Sequence, residues 1–126
     1  MKLLVVDDSS VIRKVIRAAA DVLEYETIEA QDGLEALEVL STRYEEIDLV
    51  LLDWNMPEMS GYDVLVEIKG NEKYKDIPVM MVTTEGQRSN IVAAVRAGAD
   101  NYLTKPFTVE ELETKIIECI GEGSDF

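Results

Sequence analysis

The chain has 126 residues, is 47% hydrophobic and 30% charged, and carries a net charge of −14 from 26 acidic against 12 basic residues. Its length suits one domain with one core, and so acidic a surface argues against a nucleic-acid partner, which needs clustered Lys and Arg. It has no histidine and a single cysteine, which excludes within this chain a phosphocarrier histidine, a Ser-His-Asp triad, an imidazole metal site and an internal disulfide.

Met1-Lys2-Leu3 enters a strand directly, without a signal-peptide layout, and no apolar run approaches a membrane span. The expectation is a cytoplasmic protein with no membrane partner. The lone Cys119 falls in a helical pattern beside Ile116, Ile117 and Ile120, where a small packed thiol is expected.

In chain order, residues 2–6 are a short apolar strand, and Ser9 or Ser10 caps the first helix. In that helix Val11, Ile12, Val15, Ile16, Ala19, Val22 and Leu23 recur at helical spacing. Residues 26–30 form a weaker strand. Asp32 with Glu35 resembles a capping box opening a helix through about Thr42, with an apolar stripe of Leu34, Leu37 and Leu40 beside Ala36. Residues 48–52 are the second strong strand, followed by a turn-rich loop over 53–61. A helix is expected from Gly61 to Lys69, stopping at Gly70. Pro78 opens the next strand, a helix near 87–97 ends at Gly98, and a short strand covers 100–104. Thr108-Val109-Glu110-Glu111 is a capping box for a last helix that buries Leu112, Ile116 and Ile120. The expected domain spans residues 1–121, with 122–126 a frayed tail.

Strict alternation of five strands and five helices predicts an α/β fold, a doubly wound parallel sheet with helices on both faces. Near-continuous apolar strands fit burial on both sides. No linker, internal repeat or low-complexity stretch interrupts the pattern, and no effector domain is expected within it.

The strand ends carry the chemistry. Leu3-Leu4-Val5-Val6 ends on Asp7-Asp8, Leu49-Val50-Leu51-Leu52 on Asp53, Val79-Met80-Met81-Val82 on Thr83-Thr84, and Asn101-Tyr102-Leu103-Thr104 on Lys105-Pro106. In an open parallel sheet these ends share the edge where ligands bind. Each residue also has an ordinary explanation: Asp7 and Asp8 as helix-capping acids, Asp53 as a turn residue, Thr83 and Thr84 as strand-terminal β-branched residues, Lys105 as a surface charge. Together they describe an acidic cleft. Two adjacent acids repel unless a cation lies between them, and a third from a second strand supplies the hard oxygen ligands that suit Mg²⁺. Without Cys or His ligands, zinc does not fit.

Val5-Val6-Asp7-Asp8-Ser9, Leu51-Leu52-Asp53-Trp54-Asn55-Met56-Pro57, Val82-Thr83-Thr84 and Lys105-Pro106-Phe107 resemble the receiver domains of bacterial response regulators, and the resemblance covers essentially the whole chain. It implies a flavodoxin-like sheet of strand order 2-1-3-4-5. It also implies a two-component phosphorelay role, in which Asp53 accepts a phosphoryl group from a partner phosphohistidine and the chain catalyses its own phosphorylation and dephosphorylation without being an enzyme in the usual sense. Position by position, Asp7 and Asp8 correspond to the metal-binding acids, with Asp53 and the backbone carbonyl of Asn55 as further ligands to Mg²⁺. Thr83 corresponds to the switch hydroxyl, Lys105 to the lysine that contacts the acyl phosphate, and Tyr102 to the aromatic switch; a cis Lys105–Pro106 peptide is implied as well. Asp53-Trp54-Asn55-Met56-Pro57 is most similar to the single-domain chemotaxis members. Asn55 and Glu85 would then flank the path of the hydrolytic water, and Thr84, where many members have Ala or Gly, would modulate access to Asp53. The partners so implied are a sensor histidine kinase such as that of chemotaxis, an output partner such as the flagellar motor switch protein, and a phosphatase; a monomer is the default.

Competing classes leave different marks. A constitutive interaction module would not need the acid triad with Lys105. A receiver fragment of a larger response regulator would share every motif here. A hydrolase with an aspartyl-phosphate intermediate, of the haloacid dehalogenase type, wants a second acid two residues after its nucleophile, where this chain has Asn55. A flavodoxin-like cofactor binder wants a phosphate-binding Ser/Thr/Gly loop after the first strand, where Asp7-Asp8 stand.

Overall fold

In the computed structural model, which describes residues 1–120, five parallel strands form one sheet in the order β2-β1-β3-β4-β5. They are β1 (Lys2–Val6), β2 (Glu26–Ala30), β3 (Leu49–Leu52), β4 (Val79–Thr83) and β5 (Asn101–Thr104). Between and after them run α1 (Ser10–Val22), α2 (Gly33–Arg43), α3 (Gly61–Lys69), α4 (Arg88–Arg96) and α5 (Val109–Ile120), with a 3₁₀ turn over Tyr44–Glu46. The expected fold class and strand order are both found. The expected domain end at 121 and the tail 122–126 lie outside the described residues.

Handedness decides which face each helix covers. The step from β1 to β2 runs one way along the sheet, and every later step runs the other way. Right-handed crossovers therefore send α1 to one face and α2, α3 and α4 to the opposite one. The cores show this division. Leu3, Val5, Leu49, Leu51, Met80 and Val82 pack with Ile16 and Ala20 of α1 and with Leu112 and Ile116 of α5. Their neighbours Leu4, Val6, Val50, Leu52, Val79 and Met81 point the other way, onto Ala36, Leu40, Val64, Leu65, Ile68 and Ala94. The two-residue period of a strand produces the split, and burial on both faces explains why the strands read as unbroken apolar runs.

Capping follows the sequence closely. Ser9 caps α1, its hydroxyl accepting from the Ile12 N–H at 3.3 Å. Thr108 and Glu111 form a complete capping box, each side chain accepting from the other's N–H at 3.0 and 2.8 Å. The Asp32 box is only half made: Asp32 accepts from the Glu35 N–H, but the Glu35 carboxylate reaches Gln31 rather than the cap residue. Gly98 ends α4 with φ +110°, a left-handed turn that suits glycine; Gly70 ends α3 at φ −88° and needs no such freedom.

Four apolar residues that keep the helical spacing stand exposed: Val11, Val15 and Val22 of α1 at 67%, 37% and 71%, and Leu34 of α2 at 58%. The burial falls to Ile16, Ala19 and Ala20 in α1 and to Ala36 and Leu40 in α2. Ile120 and Cys119 are half-buried.

Candidate active site at the sheet edge

β1 and β3 are adjacent strands whose crossovers leave to opposite faces, so a crevice opens beyond their C-terminal ends. The polar residues at the end of each strand meet there. Ladder hydrogen bonds continue one residue past each strand: the Asp7 N–H donates to the Ala30 carbonyl, and the Asp53 N–H to the Val6 carbonyl at 3.0 Å. That anchoring fixes Asp7 and Asp53 at one depth. Asp7, Asp8 and Asp53 each bring a carboxylate oxygen to within 4.8 Å of the others, Asp7 and Asp53 being buried and Asp8 exposed.

β5 contributes the cation. The Lys105 ammonium lies 2.7 Å from Asp7 Oδ2 and 3.3 Å from Asp53 Oδ2. The Lys105–Pro106 peptide is cis, as expected. The other Asp7 oxygen, Oδ1, accepts from the Ser9 N–H at 2.9 Å, and the Arg13 guanidinium, itself paired with Glu29, donates to the Asp7 backbone carbonyl at 2.6 Å. Arg13 is a support the sequence pattern does not signal, because it reads there as an ordinary polar position of an amphipathic helix.

Burial pushes the Asp53 carboxyl above its ordinary range; Lys105 pulls it down, Asp7 pushes it up, and the Thr83 hydroxyl and Asn55 N–H favour the charged form. The donor set is all oxygen, two of its three carboxylates are buried, and one ammonium offsets only part of their charge. That fits a hard divalent cation and fits neither zinc nor a soft metal.

The remaining expected residues ring this cluster. Thr83 is fully buried at the end of β4, and its hydroxyl accepts from the Glu85 N–H at 3.3 Å. Tyr102, half-buried on β5, donates its hydroxyl to the Glu85 backbone carbonyl. Burial, with the charges of Glu85 and Asp53, raises its phenol above the usual range. The Asn55 amide donates to Glu85 Oε2 at 2.9 Å and lies 3.5 Å from the Thr84 hydroxyl. All nine candidate site residues thus gather on one edge. Besides Arg13, two more were not singled out: Asn90, whose amide donates to Glu85 Oε1 at 3.0 Å, and Gly61. A Cβ at Gly61 would meet the Asp53 carbonyl oxygen at 1.8 Å, an approach only glycine allows.

The response regulator receiver domain profile matches residues 3–117. The chain belongs to this family. It is 42% identical over 125 residues to a chemotaxis protein CheY homolog of Campylobacter jejuni, covering 98% of this chain and 95% of that protein. Chemotaxis protein CheY1 of Helicobacter pylori is likewise 42% identical, over 96% of this chain and 98% of its own length. Among solved structures, chemotaxis response regulator CheY4 of Vibrio cholerae superposes with a TM-score of 0.87 at 32% identity, over 94% of this chain and 98% of that one. The chain is therefore a receiver of the CheY type, as befits a two-component response regulator, and the sheet-edge cluster lies inside the matched region.

Proposed function

We propose that Asp53 is the phosphoacceptor of a signalling switch, loaded by a partner phosphohistidine or a small phosphodonor. The observation that carries this is the buried Asp53 carboxylate, 3.3 Å from the Lys105 ammonium and clustered with Asp7 and Asp8. In the transfer, an Asp53 carboxylate oxygen bonds to phosphorus as the phosphorus–nitrogen bond of the donor breaks, and the departing imidazole takes up a proton. Asp7, Asp8, Asp53 and the Asn55 carbonyl would hold Mg²⁺, which when bound neutralises charge on the transferring group. Lys105 offsets the remaining charge from the opposite strand. In dephosphorylation a water oxygen bonds to phosphorus as the bond from phosphorus to the Asp53 oxygen breaks, releasing inorganic phosphate and a proton, and Asn55, Glu85 and Thr84 would govern the approach of that water.

The switch would run through the backbone of one residue, Glu85. The Glu85 N–H is held by Thr83 and the Glu85 carbonyl by Tyr102. A Thr83 hydroxyl drawn to a phosphoryl oxygen gives up its bond to the Glu85 N–H, and Tyr102 loses the fixed carbonyl that holds it. The surface made by α4, β5 and α5 would change with it. The CheY-type relatives favour chemotaxis as the setting, with a histidine kinase upstream, a flagellar motor switch protein or similar partner downstream, and a phosphatase acting on the phosphorylated form. This reading places the chain in the cytoplasm, where a thiol such as Cys119 stays reduced.

Trp54 adjoins Asp53 and stacks on Tyr62 with ring centroids 5.3 Å apart, so its fluorescence reports on the site. Titration with Mg²⁺, then with acetyl phosphate or a beryllofluoride mimic, should change the emission at both steps, with the acetyl-phosphate response lost in Asp53→Asn. No response to either, with no acyl phosphate by mass spectrometry, would leave a constitutive binding module. A Tyr102→Ala variant that still passes the signal to its partner normally would break the coupling step.

A further inference from the structure

Glu85 is gripped at its side chain as well as its backbone. Its carboxylate accepts from two amides, Asn55 at 2.9 Å on Oε2 and Asn90 at 3.0 Å on Oε1. Asn55 is the second residue after Asp53, and Asn90 lies in the first turn of α4. The carboxylate therefore bridges the loop after the phosphoacceptor to the helix across the cleft. A glutamate side chain ordered in this way gives up rotamer freedom, and each amide orients one of its two oxygens. Asn90 touches none of the clustered acids; it acts on the site only through Glu85. Gln87, the cap residue of α4, makes no side-chain cap hydrogen bond.

We propose that Asn90 is a positioning residue: it holds the Glu85 carboxylate at the mouth of the Asp53 cleft, and through Glu85 it sets the lifetime of the phosphoryl group. This rests on the phosphoacceptor reading above. In hydrolysis a water oxygen bonds to phosphorus, the bond from phosphorus to the Asp53 oxygen breaks, and a water proton is released as inorganic phosphate departs. A fixed carboxylate beside that path fills space and places negative charge against an incoming lone pair. Released from Asn90, the side chain turns to solvent and the path opens.

The test is a two-by-two comparison of acyl-phosphate lifetimes, measured after loading with acetyl phosphate and Mg²⁺ and removing donor. Asn90→Asp sets a carboxylate against Glu85 and should shorten the lifetime several-fold. In a Glu85→Gln background the same change should have no effect, because the glutamine amide donates to the new carboxylate and there is no charge to expel. A brace for α4 alone would give the same fold-change in both backgrounds, and that result, or an unchanged lifetime in Asn90→Asp, overturns the proposal. Should Asn90→Asp fold poorly, Asn90→Ala is compared in wild type and in Glu85→Ala, where no side chain is left to position and the change should have no effect. A wild-type chain that forms no acyl phosphate at all would instead overturn the phosphoacceptor reading, and this proposal with it; that outcome is distinct from formation followed by indifferent decay.

Discussion

The Lys105 ammonium is closer to Asp7, at 2.7 Å, than to Asp53, at 3.3 Å. A lysine carried on β5 thus reaches past the proposed phosphoacceptor to an acid on β1, and it neutralises part of a cluster of three carboxylates. Lys105 is only 13% exposed at its side chain, so this is a desolvated ion pair rather than a surface one.

Replacing Lys105 with Met should therefore cost more than a surface charge would. It keeps the aliphatic stem but leaves Asp7 and Asp53 buried and facing each other without a cation. Breaking a buried pair costs roughly 3 kcal/mol, to be seen as a lower urea midpoint in chelator. Mg²⁺ should restore a good part of that loss, because a cation held by the same acids stabilises the folded state by mass action. A variant as stable as wild type in chelator would show that the pair contributes nothing net. Loss of the charge opposite the transferring group should also slow acyl-phosphate formation by roughly 100-fold.

Asp53→Asn should have the opposite sign. Burial holds the Asp53 carboxyl above its ordinary range, against the pull of Lys105. An acid whose folded-state pKa is raised is penalised once charged: the folded state binds the extra proton, so stability falls as pH rises from the unfolded value, about 3.9, through the raised folded value. The penalty is complete once pH has passed the raised folded value. Removing the charge should raise the melting temperature at pH 7 in chelator, each 1 kcal/mol moving a domain of this size by roughly 4 °C. The gap to wild type should close as pH falls through that window. Lys105 keeps Asp7 as its partner in the variant, so no ammonium is orphaned. A variant less stable than wild type at pH 7 would mean that the attraction of Lys105 outweighs burial. Mg²⁺ should stabilise wild type more than the variant, which lacks one carboxylate of the site.

The strands and their polar ends were legible in the sequence because burial on both faces leaves an unbroken apolar run that the site residues interrupt. The helices were less so. Val11, Val22 and Leu34 obey the helical period yet stand 67%, 71% and 58% exposed. Val11 and Leu34 belong to the first turns of α1 and α2, where side chains lean toward the helix start and out past the strand ends. Val22 closes the last turn of α1. Period alone cannot say where the covering sheet stops. Substituting Val22 by Ser should then change stability by less than about 0.5 kcal/mol, whereas Leu40→Ala, at a fully buried position, should cost roughly 2–5 kcal/mol. Equal costs in urea unfolding would contradict the division of faces. Asn90 and Arg13 were invisible for another reason: each acts through a side-chain hydrogen bond to a residue beyond its own helix, Glu85 and Asp7, which leaves no periodic trace.

Gly61 shows the same limit most sharply. In the sequence it is a turn residue ahead of a helix; in the fold, a Cβ there would come within 1.8 Å of the Asp53 carbonyl oxygen and 2.9 Å of the Trp54 Cα. Both obstacles are backbone, and they belong to the phosphoacceptor and its neighbour. The Gly61 N–H also donates to the Trp54 carbonyl at 2.8 Å, which ties the start of α3 to the loop that carries Asn55. Gly61→Ala therefore has to move that loop rather than a yielding side chain. The cost should be at least about 3 kcal/mol, at the upper end for overpacking, and Mg²⁺ affinity read from Trp54 fluorescence should fall with it. Gly70→Ala is the control: its Cβ would meet nothing closer than the Val66 carbonyl at 3.1 Å, and its φ of −88° suits alanine. The carbonyl has to give by only a few tenths of an ångström, so that change should alter stability by no more than about 1 kcal/mol in either direction. A Gly61→Ala protein that keeps wild-type stability and Mg²⁺ affinity would mean that the loop after Asp53 yields freely, and the tight seating of the phosphoacceptor against α3 would then have no part in holding the site.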